Sequence, residues 1–376
     1  MNVAIVSRGL PDSQNLMYGI FEFDQAKALV AVGVNVKFLA VDLRSIRRWR
    51  HFGLSKEIRS GVECYKISIP VGIAPQFLLC KIGTVALKRL YQYAYDDELK
   101  PDLIHAHFTI QGYMAAELAK EINVPLVITE HSSEMNKEKI RNSLLKIAID
   151  AYSAAKTVIA VGTPLSKSIK EKTGKECIVI PNIVDVSIFG KCVRRHTAGK
   201  EFTLVSVGGL IKRKHMDLLI SAFAKVHKQI KNTRLIIFGQ GKEELALRSM
   251  IADAGLQKNV MLEGLVPREK IAATYEIADA FVLLSERETF GVAYIEALAA
   301  GLPVVATKCQ GPEDFMCDEF GYLIDTNDEA QAVDAMIAIC ERIHEYSPEK
   351  ISNLIKTRYS PETIAGELIA VYAAAI

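Results

Sequence analysis

Short apolar segments rich in β-branched residues alternate along this chain with longer amphipathic segments, and the alternation occurs twice. The first set of predicted strands comprises residues 3–6, 35–41, 103–106, 126–129 and 158–161. The second set comprises residues 203–207, 234–238, 260–263, 280–284 and 303–306. Because the strands lack alternating polar positions and helical segments lie between them, they indicate parallel sheets covered by helices on both faces. We therefore expect an α/β fold with two Rossmann-like, doubly wound parallel-sheet domains facing across a cleft.

The interval 181–200, which is rich in proline, glycine and charge, separates the two sets of strands. A chain of 376 residues has room for two domains of ordinary size. The sequence thus predicts an N-terminal domain over residues 1–190 and a C-terminal domain over residues 191–355. A final helix over residues 356–376 is expected to return to the N-terminal domain.

Composition excludes several classes of protein. A net charge of +2 argues against a nucleic-acid partner. Seven cysteines, an odd number without a Cys-x-x-Cys pair, indicate reduced thiols rather than disulfides or a zinc site. No apolar run reaches the roughly 18 residues needed to span a membrane, and the apolar start of the chain is too short for a signal peptide. These features predict a cytoplasmic protein that at most rests on a membrane surface.

The most informative segment follows the predicted strand 280–284 and has the sequence SERETFGVAYIEA. Its glutamates Glu288 and Glu296 are eight residues apart. On a helix this spacing corresponds to roughly 12 Å along the axis, on nearly the same face. Carboxylates so far apart can accept hydrogen bonds from hydroxyls at two ends of an elongated ligand, for example a sugar and a ribose. Two such acids alone are more typical of a solvated helix face.

The same segment also predicts the start of a helix, which ends at Gly301-Leu302-Pro303. The first backbone N–H groups of a helix have no partner within it, so they can bind an anion or sugar hydroxyls. In this chain those groups belong to residues Phe290, Gly291 and Val292.

The full pattern Ser-x-x-Glu-x-Phe-Gly-x4-Glu-Ala, from Ser285 to Ala297, resembles the signature of a large family of retaining glycosyltransferases, group 1 or family four. The resemblance covers nearly the whole chain, through segments 19–25, 104–108, 129–132, 181–189, 208–219, 237–241, 262–266 and 278–280. It implies a GT-B fold in which the C-terminal domain binds a nucleotide diphosphate sugar and the N-terminal domain binds the acceptor. It also implies a metal-independent hexosyltransferase without a cofactor.

The resemblance implies roles for individual residues. Glu288 is expected at the donor sugar, Glu296 at the ribose, Lys214 at the diphosphate and His131 near the anomeric carbon. The remaining expected donor-binding residues are Gly19, Gly239, Gly241, Phe290, Gly291 and Val292.

Glycosyl transfer from such a donor builds negative charge on the departing diphosphate, and this charge must be stabilised. One solution is a divalent metal held by an Asp-x-Asp motif, but the chain contains no such motif. Fixed cations are the other solution, and we assign this role to Arg213 and Lys214 and expect no metal. Relatives usually carry a further arginine at the position of Gly209. We expect Arg213 to supply the missing charge.

Two histidines follow predicted strands. His131 lies within Glu-His-Ser after the strand 126–129, so we expect it to hydrogen-bond the donor sugar rather than act as a base. His107 is a weaker candidate for acceptor contact, with core packing as the equal alternative. Front-face attack, in which the leaving phosphate accepts the acceptor proton, is favoured over a covalent intermediate on Glu288.

The N-terminal domain also contains a basic amphipathic segment. Its residues expected to face a membrane surface are Arg44, Arg47, Arg48, Trp49 and Arg50. Residues 76–95 add further basic and apolar side chains. Such a mixture suits an anionic membrane surface, at the inner face of the cytoplasmic membrane. A solvated basic surface or a site for an acidic sugar remains the alternative.

Together these features predict transfer of a hexose-type sugar to a glycan or lipid-linked acceptor during synthesis of a cell-surface polysaccharide such as lipopolysaccharide or capsule. A nucleotide-sugar epimerase is one alternative. A catalytically weakened subunit that binds nucleotide sugar beside a partner enzyme is another, and Gly209 is its only support in the sequence.

Overall fold

A computed structural model describes residues 1–12, 15, 17–48, 50–71, 74–96, 99–191 and 199–376. Its internal contacts divide the chain into two compact units. Unit 1 comprises Met1–Ile183 and Pro361–Ile376, and unit 2 comprises Val184–Ser360. The chain passes from unit 1 to unit 2 between Ile183 and Val184, earlier than the predicted boundary at residue 190. Up to that point it belongs to unit 1, since Ile180 and Ile183 pack in the core of that unit. The next residue, Val184, donates its N–H to the carbonyl of Tyr359, 2.9 Å away, within unit 2.

Unit 1 is built on a sheet of eight described strands in the order β3-β4-β2-β1-β5-β6-β7-β8. The strands are β1 (Asn2–Ser7), β2 (Asn35–Asp42), β3 (Gly53–Arg59), β4 (Val62–Ser68), β5 (Leu103–His107), β6 (Leu126–Glu130), β7 (Thr157–Ala160) and β8 (Cys177–Val179). Its helices are α1 (Ile20–Ala31), α2 (Gln76–Ala94), α3 (Thr109–Ile122), α4 (Asn142–Ala154), α5 (Thr163–Thr173) and α13 (Pro361–Ala375). All strand pairs are parallel except the hairpin of β3 and β4.

The core of unit 1 combines residues from both ends of the chain. Ile364, Leu368 and Tyr372 of α13 are fully buried in the same cluster as Val3 and Ile5 of β1. Helix α13 also packs against α1. The last helix therefore completes the core of the first unit.

Unit 2 is built on a sheet of six described strands, all parallel, in the order β11-β10-β9-β12-β13-β14. The strands are β9 (Phe202–Val207), β10 (Thr233–Phe238), β11 (Val260–Gly264), β12 (Ala280–Leu283), β13 (Val304–Thr307) and β14 (Gly321–Ile324). Its helices are α6 (Val186–Phe189), α7 (Met216–Gln229), α8 (Glu244–Asp253), α9 (Arg268–Tyr275), α10 (Val292–Ala299), α11 (Glu329–Arg342) and α12 (Pro348–Tyr359).

The predicted α/β class with two mostly parallel sheets is confirmed. All ten predicted strands are present, whereas β3, β4, β8 and β14 were missed. Strands β3 and β4 form a hairpin whose two-residue turn, Ser60-Gly61, has positive φ at both positions. The outer strand β3 is largely exposed, so it lacks the continuous apolar pattern that identified the other strands.

Each sheet has one topological switch point, where successive strands are added first on one side of a central strand and then on the other. Candidate residues lie at these points. In unit 2, β9 lies between β10 and β12, which brings the loops after β9 and β12 together at the carboxyl edge. In unit 1, β1 lies between β2 and β5, which does the same for the loops after β1 and β5. Within the described ranges, no helix combines the length and the apolar character needed to cross a membrane.

Candidate active site

The loops after β9 and β12 are tied together by Arg213. Its backbone carbonyl accepts a hydrogen bond of 2.8 Å from the N–H of Glu286. Its guanidinium Nη1 donates to the carbonyl of Arg287 at 3.2 Å. Arg213 lies in a short 3-10 turn, Lys212–Lys214, directly before α7. Arg213, one of the two cations predicted from sequence, is therefore held at the sheet edge by the backbone of the glutamate-containing loop.

Lys214 and Glu288 form an ion pair within this cluster. The Glu288 carboxylate also accepts a hydrogen bond of 2.7 Å from Ser285 Oγ. The backbone N–H of Glu288 donates to the carbonyl of Cys309 at 2.8 Å, which fixes the loop against the end of β13. Only 15% of the Lys214 side chain and 10% of the Glu288 side chain are exposed. A partly desolvated ammonium group of this kind attracts an anion more strongly than a surface lysine does.

Two glycines allow the loop after β10 to press against the loop after β9. Gly239 has a φ of +145°, and a Cβ there would lie 1.9 Å from the carbonyl oxygen of Gly208. A Cβ on Gly241 would lie 2.2 Å from the carbonyl oxygen of Leu210. Side chains at either position would separate the loops. Glycine is thus required here by packing within the unit.

Helix α10 begins beside Glu288 without a side-chain cap. Gly291 occupies the N-cap position with a φ of +97°, and a Cβ there would meet the Tyr294 ring at 2.6 Å. The Phe290 ring is buried against the rings of Phe315 and Tyr359, each with its centroid 5.7 Å away. The side chain of Phe290 therefore belongs to the core. Its backbone and the N–H groups that follow, including that of Val292, form the helix start.

Glu296 lies in the middle of α10 and forms an ion pair with Arg268. Arg268 Nη2 lies 2.8 Å from Glu296 Oε1, and both side chains are largely buried. The Arg268 guanidinium also stacks on the Phe189 ring, 5.2 Å from its centroid. The sequence identified Glu296 but missed Arg268, because the two residues are separated by a complete strand and no local pattern joins them.

In unit 1, the two candidate histidines lie side by side. His107 Nδ1 is 3.0 Å from His131 Nε2, and both side chains are buried. Burial, together with the smaller effect of the nearby Arg8 charge, lowers the pKa of His131 to about 3. Burial also holds the pKa of His107 well below its usual value. Both imidazoles are therefore neutral at pH 7, which suits a hydrogen-bonding role and not that of a general acid.

Glu130 fixes the backbone at His131 and was not identified from the sequence. This buried carboxylate accepts hydrogen bonds from Thr109 Oγ1 at 2.5 Å and Tyr152 OH at 2.6 Å. It also accepts from the N–H groups of His131 at 3.0 Å and Ser132 at 2.7 Å. Burial raises the pKa of Glu130. Four donors thus determine the path of the chain that carries His131.

Gly19 is the N-cap of α1 and has a φ of +77°. A Cβ there would lie 2.2 Å from the carbonyl oxygen of Gly9. The structure therefore requires glycine at this position for close backbone packing between the two ends of the loop after β1.

The basic segment of unit 1 differs from its predicted role as a membrane surface. Arg50 is buried, its Nε lies 2.7 Å from Asp42 Oδ2, and its Nη1 and Nη2 donate to backbone carbonyls. Arg44 pairs with Asp42 at 2.8 Å and with Asp12 at 2.9 Å. Both arginines stabilise the loop after β2, so assigning them to a membrane surface was wrong.

Two other members of the segment, Arg47 and Arg48, are exposed. The predicted membrane residue Trp49 lies outside the described residues.

Comparison with known proteins identifies the family. Residues 23–188 match the model of Glycosyltransferase Family 4, and residues 193–355 match the model of Glycosyl transferases group 1. The chain therefore belongs to the family-four, group 1 family of GT-B glycosyltransferases. Enzymes of this family are retaining, metal-independent hexosyltransferases that use nucleotide-sugar donors, and this chain is such an enzyme.

Two curated relatives illustrate the range of the family. The chain is 26% identical over 379 residues to the putative teichuronic acid biosynthesis glycosyltransferase TuaC of Bacillus subtilis (strain 168), covering 95% of this chain and 93% of that protein. It is 24% identical over 290 residues to the N-acetyl-alpha-D-glucosaminyl L-malate synthase of Bacillus anthracis, covering 72% and 74%.

Solved structures share the fold at low sequence identity. Sucrose-phosphate synthase from Thermosynechococcus elongatus superposes with a TM-score of 0.80 at 20% identity, covering 100% of this chain and 98% of that one. Anabaena Alr3699/HepE in complex with UDP and glucose superposes with a TM-score of 0.73 at 18% identity, covering 100% of both chains.

Proposed function

We propose that this enzyme transfers a hexose from a nucleotide diphosphate sugar to a glycan or lipid-linked acceptor in the synthesis of a cell-surface polysaccharide. Unit 2 binds the donor and unit 1 binds the acceptor. The observation that carries the proposal is the cluster of Lys214, Glu288 and Ser285 at the point where the sheet of unit 2 changes direction. The relatedness to a putative teichuronic acid glycosyltransferase over nearly its full length supports the pathway.

In the proposed reaction, Lys214 and Arg213 bind the diphosphate and Glu288 binds hydroxyls of the donor sugar. The bond from the anomeric carbon to the diphosphate oxygen breaks, and the acceptor oxygen forms its bond on the same face. The acceptor proton passes to the departing phosphate oxygen. His131 hydrogen-bonds the sugar near the anomeric carbon as a neutral group.

Other residues orient the donor in this proposal. Glu296, held by Arg268, accepts hydrogen bonds from the ribose. Backbone groups in the loops and at the start of α10 approach the donor closely, and they belong to Gly19, Gly239, Gly241, Phe290, Gly291 and Val292.

A thermal-shift panel of UDP-, GDP-, ADP- and TDP-sugars without added metal tests the donor assignment. At one hundred times the dissociation constant, a ligand stabilises the folded state by about 2.7 kcal/mol. For domains of this size we expect a rise of several degrees in Tm with one nucleotide class. UDP-sugars are the first choice, because Alr3699/HepE was solved with UDP. No rise with any of the four would contradict the proposal.

Variants of Lys214, Arg213 and Gly209 make this test more specific. Lys214→Gln should weaken the same nucleotide about 10- to 100-fold, because a charge-assisted contact with the diphosphate is lost. Gly209→Arg should strengthen it, because a Cβ at this position would meet no atom closer than 3.8 Å. Arg213→Ala should lower turnover if Arg213 replaces the arginine missing at residue 209. Near-normal turnover would exclude that compensation.

We further propose that unit 1 rests on the inner face of the cytoplasmic membrane, with the enzyme in the cytoplasm. The exposed face of α2 presents apolar and basic side chains together. Phe77 is 61% exposed and Val85 is 70% exposed, and Lys81 and Arg89 lie on the same helix in exposed positions. Each basic residue near an anionic surface contributes about 1 kcal/mol of attraction.

Pelleting with phosphatidylglycerol vesicles at low salt tests the surface. The wild-type enzyme should pellet, and the double variant Lys81→Glu, Arg89→Glu should remain in solution. Lys258→Glu, an exposed basic residue of unit 2, is the matched control and should pellet like the wild type. Equal pelleting of all three proteins would contradict the proposed surface.

A further inference from the structure

Arg8 follows β1 directly, at the edge of the sheet that also carries the candidate histidines. Its Nε lies 3.2 Å from Oε1 of Glu22, a fully buried residue of α1. Ser7 Oγ donates to the same carboxylate oxygen at 3.3 Å. The Arg8 side chain nevertheless remains 33% exposed. The ion pair thus anchors one edge of the guanidinium inside unit 1 while the rest of the group stays accessible.

Two aromatic rings hold the Arg8 guanidinium in place. Its Cζ lies 4.2 Å from the centroid of the Phe108 ring and 5.5 Å from that of Tyr18. Phe108 has a φ of +70° and a ψ of 156°, which side-chain-bearing residues rarely adopt. Such strained backbone conformations cluster at ligand sites. The Phe108 ring also lies 5.0 Å from the ring of His131, so this strained residue joins the cation to the candidate histidine.

The second edge of the guanidinium has no protein partner in the described part of the chain. The contact with Glu22 is an ion pair at Nε, and Nε itself makes no hydrogen bond. No hydrogen bond joins Nη1 or Nη2 to another described residue. The two terminal nitrogens of arginine form a planar fork that fits the two oxygens of a carboxylate or phosphate. Because His131 and His107 are neutral, neither histidine adds charge beside this fork.

We infer that Arg8 binds an anionic group, a carboxylate or a phosphate, carried by the acceptor. The inference rests on the proposed assignment of acceptor binding to unit 1, and it adds the chemical class of the acceptor. The negative group lies against Nη1 and Nη2, and Phe108 and Tyr18 flank the guanidinium. A neutral glycan that lacks such a group leaves the fork unsatisfied and binds more weakly.

The competing explanation is a purely structural pair, in which Arg8 serves only to neutralise the buried Glu22. That explanation predicts that Arg8 contributes to stability and leaves ligand preference unchanged. It can be distinguished by comparing ligands that differ only in charge.

Ligand-observed NMR titration with two matched pairs of probes tests the inference, at saturating UDP so that the donor site is occupied. The pairs are methyl glucuronide against methyl glucoside, and glycerol 3-phosphate against glycerol. For the wild type we expect the charged member of at least one pair to bind ten times more tightly. The pair that shows the preference identifies the anion as a carboxylate or a phosphate. A ratio near one for both pairs would overturn the inference.

Variants assign the preference to Arg8. Arg8→Gln should bring the ratio close to one, and Arg8→Lys, which retains the charge but not the fork, should give an intermediate ratio. Arg8→Gln combined with Glu22→Gln removes both charges of the buried pair and serves if the single variant does not fold. Lys258→Gln, at an exposed lysine of unit 2 outside the candidate site, should keep the wild-type ratio. An unchanged ratio in the Arg8 variants, or its loss in Lys258→Gln, would overturn the inference.

The nucleotide panel on the same samples separates this inference from the proposed function. Normal shifts with one nucleotide class and a ratio of one reject the Arg8 subsite alone. An absent shift with every nucleotide rejects the donor assignment, whatever the preference for anions.

Discussion

At the scale of single residues, the main feature of unit 1 is a group of three buried histidines. His105 joins His107 and His131, with its Nδ1 2.7 Å from Tyr372 OH and its Nε2 2.7 Å from Thr129 Oγ1. Burial lowers the pKa of His105 to about 3. The three histidines are therefore uncharged in the folded protein over the physiological range. Each would take up a proton near pH 6.5 if the chain unfolded.

This difference predicts acid sensitivity of unit 1. For His105 and His131, whose folded pKa values of about 3 lie below the unfolded ones, the contribution to the free energy of unfolding is complete above about pH 6.5 and decreases as pH falls towards 3. Each histidine contributes a slope of about 1.4 kcal/mol per pH unit in that window. Urea unfolding at pH 7, 6 and 5 should show this decrease in the free energy of unfolding. His105→Gln should reduce the slope by the contribution of one proton, about 1.4 kcal/mol per pH unit.

Two buried carboxyl groups act in the opposite direction. Burial raises the pKa of Glu22 and Glu130, so the folded state binds their protons before the unfolded state does. For this reason the comparison of His105→Gln with the wild type is more informative than the absolute profile. Identical slopes for the two proteins would contradict the histidine assignment.

Residues were predictable where a local motif specified them. Lys214 and Glu288 came from short patterns after strands, and the structure brings them together. Arg268 and Glu130 were missed because their partners lie on other elements. Arg50 was misassigned because its partners are Asp42 and backbone carbonyls, which no pattern of basic and apolar residues reveals.

At the scale of elements, helix starts and loop crossings depend on glycine at a few positions. The start of α10 is the clearest case. Gly291 has a left-handed backbone, and a Cβ added there would clash with the Tyr294 ring. The same helix start carries the N–H groups proposed to bind the donor. Its geometry therefore affects both folding and ligand affinity.

Gly291→Ala should destabilise unit 2 by about 1–3 kcal/mol, because alanine is strained at positive φ and its Cβ would displace Tyr294. Nucleotide-sugar affinity should fall in the same variant. Gly366→Ala is the matched control, since this exposed glycine lies inside α13 and a Cβ added there would meet no other atom within 4 Å. The control should gain about 0.5–1 kcal/mol. Chemical denaturation measures both changes, and equal effects would refute the argument.

Whether an element was predictable depended on its burial. Nine of the ten predicted strands consist mainly of buried residues, whereas only Val260 is buried in the edge strand β11. Strand β3 is largely exposed, β8 has three residues of which two are exposed, and β14 has one buried residue, so none of the three shows a continuous buried apolar pattern. In helix α7 the apolar residues recur with helical spacing over its whole length, which is the pattern that identifies an amphipathic helix from sequence.

At the scale of the whole molecule, the chain passes from unit 1 to unit 2 and back again. Helix α13 returns to unit 1 and buries Ile364, Leu368 and Tyr372 there. Tyr372 also reaches His105 with its hydroxyl. The integrity of unit 1, and of its histidine cluster, therefore depends on a helix that follows unit 2 in the sequence.

Leu368→Ala should destabilise unit 1 by about 2–5 kcal/mol, because it leaves a cavity in a closely packed core. Hydrogen exchange should report faster opening in β1 and α1 and unchanged protection in unit 2. Leu354→Ala is the control, since Leu354 is 44% exposed on α12. That control should change stability by less than about 0.5 kcal/mol. Uniform loss of protection across both units would contradict independent cores.

The return of α13 also determines the order in which the protein can mature on the ribosome. Domains usually fold in the order of their synthesis. Here residues 1–183 emerge first, yet their core stays open until residues 361–376 have been translated. Unit 2 is continuous in sequence and can fold while unit 1 waits. The nascent chain therefore exposes the apolar faces of β1 and α1 throughout the synthesis of unit 2, the interval in which a chaperone would protect it.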